Sequence, residues 1–253
     1  MIQPTLLFGA ILAFLCAGIY FYVGRVLSRR RQTTPGASLA WWMFISWWYA
    51  LALATLMRGM LSLLGAFGII GLPLFTTITI INLLTTCVAL MGLVFYLLYL
   101  YTGKTSLLWP VGIFYLFYYG LLVYFLEASN PIGVKVNRWN TTLQYQNLVQ
   151  GPVLLIVYML LVFPQILGSL AYFMLFFQVK ARDQRYRILL VSWSIIIWFL
   201  SAFLATLAGL SQQDWWQIAS RLIGLGAALT ILFAYQPPSW IKRRFGVAAI
   251  AEG

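Results

Sequence analysis

Long uncharged apolar runs constrain this chain more than any other feature. A bilayer core about 30 Å thick takes roughly 20 apolar helical residues to cross. Seven runs reach that length: residues 5–26, 38–64, 73–101, 107–126, 152–179, 188–210 and 215–235. Lipid offers no partner to a backbone amide, so each run is predicted as a helix that satisfies its own hydrogen bonds. Composition closes off the other classes. Of 253 residues, 63% are hydrophobic and 8% charged, with a mean hydropathy of +0.91, whereas soluble domains carry about 25% charged residues. So few charges would not cover a water-soluble enzyme. The expected fold is all-α: a polytopic membrane protein with residues 1–253 forming a single seven-helix transmembrane domain.

The net charge of +12 would suggest phosphate contacts in a soluble domain. Here the basic residues punctuate the apolar runs, which points to membrane topology and anionic lipid, with no nucleic-acid partner. Arg25, Arg29, Arg30, Arg31, Lys104, Lys180, Arg182, Arg185, Arg187, Lys242, Arg243 and Arg244 make twelve of the sixteen, and seven alternating spans put all twelve on one side. That side is expected to be cytoplasmic, with the N-terminus outside and the C-terminus inside. The first run has its positive charges after the apolar stretch, unlike a signal peptide, so it is expected to be a retained helix. A bacterial cytoplasmic (inner) membrane is the expected location. Residues 127–151 form the largest extracytoplasmic loop, and 237–253 a short basic interfacial tail.

Charges inside the spans are the sharpest functional signal, because burying one in lipid needs a reason. Arg58 lies about 20 residues into the second run, roughly 30 Å from its cytoplasmic start. Arg221 sits near the outer end of the seventh, Asp214 begins it, and Glu127 ends the fourth. Together they suggest an outer anion-accepting pocket, with Arg58 and Arg221 as donors and Glu127 as their partner. The plainer reading is snorkelling arginines and structural ion pairs. Thr79, Asn82 and Thr86 share one helix face. Gln165 follows Pro164, which frees a carbonyl in mid-helix and marks a hinge. Asn82 and Gln165 are further ligand candidates, although such residues more often bond between helices. Ser220, Gly224 and Ala228 recur every four residues, a close-packing stripe. Arg29, Arg30, Arg31, Arg185, Arg187, Trp240, Lys242, Arg243 and Arg244 are candidate contacts for lipid headgroups or a protein partner.

No catalytic constellation and no metal spacing is visible in the sequence, so no enzyme activity, metal or cofactor is predicted. The chain has no histidine, which excludes a His-ligated haem. The last run has no lysine for a retinal Schiff base. Lipids and pigments that need no side-chain ligand remain compatible. Cys16 and Cys87 lie inside apolar runs and read as small buried hydrophobes.

The last third resembles the seven-helix membrane input (sensor) regions that precede histidine kinase-type modules in bacterial signalling proteins. The resemblance rests on Arg185-Tyr186-Arg187-Ile188-Leu189-Leu190-Val191-Ser192 and on Ala234-Tyr235-Gln236-Pro237-Pro238-Ser239-Trp240-Ile241-Lys242-Arg243-Arg244. It implies detection of a ligand or membrane state, here without an output module and hence through a separate partner. The alternative is an accessory subunit of a larger respiratory or photosynthetic complex. A transporter ranks last, because no inverted repeat is visible.

Overall fold

The computed structural model describes residues 3–33, 39–146, 150–211 and 214–245; the side chains of 30–33, 150–162, 165, 206–211, 214, 244 and 245 are not described. Arg30, Arg31, Gln165, Asp214 and Arg244, all singled out above, therefore have side chains outside the described set. Seven long helices follow one another: α1 (Pro4–Thr33), α2 (Leu39–Phe67), α3 (Leu72–Thr102), α4 (Leu108–Ala128), α5 (Gln150–Gln178), α6 (Arg182–Ser211) and α7 (Asp214–Tyr235). A short α8 (Ser239–Phe245) follows. Six helices among the described residues are long and apolar enough to cross a membrane; the described apolar part of α5, Ile166–Gln178, is shorter than a span.

Local chemistry sets the helix ends. Gly103 takes φ 67° and its N–H closes α3 on the Tyr99 carbonyl at 2.8 Å. Only glycine adopts that left-handed cap without strain. α6 starts at Arg182, six residues before the apolar run at 188. Asp183 favours the positive end of the helix dipole and pairs with Arg187 one turn on, at 3.9 Å. Apolarity alone misplaces this boundary because the polar first turn is held by charge.

Consecutive helices pack side by side, and α1 closes the ring against α7; α3 also touches α5. Gly92 on α3 faces the Met43 carbonyl of α2 so closely that a Cβ would lie 2.6 Å from it. Ser194 donates to the Ala227 carbonyl at 2.9 Å, while Ser201 and Ser220 donate to each other's carbonyls at 2.7 and 2.8 Å. The small-residue stripe on α7 thus packs on α6: Gly224 faces Ser201, and Ala228 is fully buried in the core. The main core joins Tyr20, Phe44, Trp47, Trp48, Leu93 and Ile231. A second cluster fills the space between α3 and α4 around Phe95, Tyr115 and Leu122.

The polar loop corrects the all-α expectation. It contains an antiparallel hairpin, β1 (Pro131–Val136) with β2 (Thr141–Tyr145), registered by Val134 opposite Leu143 and Val136 opposite Thr141. Leu143 is buried with Phe75 and Leu126, which ties the hairpin to α3 and α4. Alternating up-and-down helices put this hairpin at one end of the bundle. The links 103–107, 179–181 and 236–238, with their flanking basic residues, gather at the other.

Candidate functional site

The site is where the hairpin tip meets the helix ends. The turn 137–140 is closed by the Asn137 N–H donating to the Asn140 carbonyl at 2.7 Å. At the hairpin's root, Gln146 N–H donates to the Asn130 carbonyl at 3.2 Å. Asn130 takes φ 46° there, a conformation asparagine tolerates better than most residues. Between root and tip the strands carry the turn across to α1, α2 and α7.

Three contacts seat the tip. The Thr5 hydroxyl of α1 donates to the Arg138 carbonyl. Thr141 lies over Gly65 of α2, where a Cβ would fall 2.2 Å from its hydroxyl oxygen. Arg221 of α7 donates from Nη2 to the Trp139 carbonyl at 2.8 Å, and less closely to Ser62 Oγ at 3.4 Å. The helix ends are themselves joined, since Gln3 N–H donates to the Ala66 carbonyl at 3.0 Å.

Arg221 reaches this position because α1 makes room for it. A Cβ on Gly9 would lie 1.1 Å from Nη1, so only glycine leaves the guanidinium its place. Among the described residues, buried Nη1 has no hydrogen-bond partner, and neither have the buried oxygens Gln3 Oε1 and Thr141 Oγ1. Arg221 has no ion pair among the described residues.

The other predicted residues are distributed around this point. Arg58 is exposed on α2, one turn before Ser62. Glu127 is exposed at the end of α4, where the chain enters the hairpin, and has no ion pair among the described residues. Asn82 lies on α3, which supplies none of the contacts holding Arg221 among the described residues. Its Oδ1 is buried without a partner, while its backbone carbonyl accepts from Thr85 and Thr86 at 3.0 and 2.8 Å. Thr79 likewise bonds back to its own helix, donating to the Phe75 carbonyl at 2.8 Å. Pro164 lines an apolar groove of about 310 Å³ between α3, α4 and α5, with Val94, Leu98, Pro110, Val111 and Phe114.

At the opposite end, Arg185 Nε donates to the Val179 carbonyl at 2.5 Å and its guanidinium lies 5.5 Å from the Phe176 ring centroid. Trp240 on α8 is 60% exposed, and Arg29 and Arg243 are exposed. Lys242 N–H caps α8 on the Pro238 carbonyl at 3.1 Å.

Sequence reasoning singled out Arg221 but not Gly9, Ser62 and Trp139, which surround it. One signal was present. Two short stretches rich in β-branched and aromatic residues flank the polar turn 137–140, a strand–turn–strand pattern. Fold and site together define a polytopic helical membrane protein with a polar, hairpin-covered end. Compared with protein-family models, with characterised proteins and with solved structures, the chain matches none.

Proposed function

We propose that the chain is a receptor-like membrane sensor without enzymatic activity. It crosses a bacterial inner membrane seven times, holds the hairpin outside and contacts a separate protein partner at its basic cytoplasmic end. One observation carries this reading: Arg221 on α7 holds the Trp139 carbonyl of the hairpin at 2.8 Å. Displacing the hairpin therefore changes the forces on a helix that runs to the basic end. α7 is coupled along its length to α6, through Ser220, Ser194 and finally Tyr186, whose hydroxyl donates to the Phe233 carbonyl at 3.1 Å. The resemblance of the last third to sensor input regions supports the same assignment.

The test is a relay measurement on the full chain in lipid nanodiscs. Spin labels at Asn137 and Lys242 report the two ends. Arg221→Ala should mobilise the tip label and also shift the environment of the inner label. A mobile tip with an unchanged inner end would reject the sensor.

The exposed apolar face of α4 favours the alternative of an accessory subunit. Trp109, Ile113, Leu116, Phe117 and Tyr124 are all at least 64% exposed along it. Lipid covers such a face as readily as protein does. A stoichiometric protein partner that shields α4 when the chain is purified from its own membranes would shift the assignment to that reading.

A further inference from the structure

We infer that Arg221 is the centre of a closed oxyanion site whose built-in occupant is the hairpin's own Trp139 carbonyl. The inference rests on the sensor reading above, in which the hairpin is displaced from α7, and it names the ligand class. A guanidinium presents five N–H donors in a rigid fork suited to two coplanar oxygens. In the closed form Nη2 has the only partners among the described residues, the Trp139 carbonyl at 2.8 Å and Ser62 Oγ at 3.4 Å. Nη1 is buried against Gly9 with no acceptor among the described residues. A neutral carbonyl thus occupies half of a fork built for an anion.

The surroundings fit the same ligand. Arg221 has no ion pair among the described residues. Hydrogen bonds to an ionised acceptor are roughly twice as strong as those to a neutral one. A carboxylate or phosphate oxygen is therefore favoured over the Trp139 carbonyl once it reaches the fork. It takes that carbonyl's place, and the tip lifts from α7. Because the carbonyl is tethered, it competes with the ligand, and apparent affinity falls with the fraction of molecules that are open. The oxyanion comes either from a free solute or from a lipid headgroup, since the site lies at the membrane-boundary end of the bundle.

The test uses the full chain in neutral detergent with three probes: inorganic phosphate, acetate and short-chain phosphatidylglycerol, with phosphatidylcholine as the uncharged control. Calorimetry should show saturable binding of at least one anionic probe. Arg221→Gln should weaken it tenfold or more. Replacing the turn 137–140 by two glycines, which removes the tethered carbonyl, should tighten it several-fold. Binding of phosphate or acetate identifies a free solute; binding of phosphatidylglycerol alone identifies a headgroup. If Arg221→Gln does not fold, Gly9→Ala crowds the same guanidinium without removing its charge, and the same loss is expected. Absence of Arg221- or Gly9-dependent anion binding in both the native and the turn-shortened chains would overturn the inference. The two readings fail separately: anion binding with a silent inner end removes the relay and keeps the site, whereas a working relay without anion binding removes only the ligand class.

Discussion

Glycine positions show how single residues set this structure. At Gly92 an added methyl would meet the Met43 carbonyl at 2.6 Å, and a backbone oxygen cannot swing aside. Gly92→Ala should cost about 1–3 kcal/mol by forcing α2 and α3 apart. Gly18 has nothing within 4 Å of the same methyl, so Gly18→Ala should be neutral or stabilise by up to roughly 1 kcal/mol through a stiffer unfolded chain. Reversible unfolding in mixed micelles measures both, and equal effects would contradict the packing. Tyr145 adds a pH dependence at the hairpin. Burial pushes its phenol above the ordinary value, so the folded hairpin favours the neutral ring. That contribution is complete below the ordinary phenol pKa of about 10 and is lost as pH rises beyond it. A tip label should gain mobility above about pH 10, and Tyr145→Phe should remove the part of that gain due to ring ionisation.

Between elements, short polar side chains do what apolar contact cannot do in lipid. Helices gain no hydrophobic drive by leaving hydrocarbon for one another, so close approach and hydrogen bonds decide which faces meet. Ser201 and Ser220 each donate to the other's carbonyl. Interhelical bonds of this kind average about 0.6 kcal/mol. Either serine to alanine should cost about that much, and the double substitution should fall short of the sum, since each bond orients its neighbour. A double-mutant cycle on α6–α7 association measures the coupling; strict additivity would mean the two bonds are independent. Helix positions were legible in the sequence because a span needs a fixed length of apolar residues, and α7 ends at Tyr235 where Pro237 and Pro238 follow. The start of α6 was not, since Asp183 and Arg187 hold a turn that looks like a polar loop. The hairpin was missed for a related reason: beside 20-residue apolar runs, two strands of six and five residues leave a faint pattern.

At the scale of the whole molecule, the proposed orientation makes a direct prediction. A cysteine at Lys135 should react with an impermeant maleimide from outside intact cells, and one at Arg243 only after permeabilisation; reaction of both from the same side would reject the topology. The basic end should also favour anionic lipid, because clustered arginines and lysines gain about 1 kcal/mol each near such a surface at moderate salt. Exchanging phosphatidylglycerol for phosphatidylcholine should therefore lower thermal stability, and high salt should narrow the difference. What the sequence by itself determined is the helical membrane class, the places of the long helices and the gathering of basic residues at one end. Each follows from local physics: the thickness of lipid, the backbone's need for partners and the cost of moving charge. Only the tertiary structure decided that Arg221 faces Gly9, Ser62 and the Trp139 carbonyl, while Glu127 stays exposed at the hairpin's root. That choice depends on which helix closes the ring and on how far two strands reach across it. Such long-range geometry leaves no periodic trace in the chain.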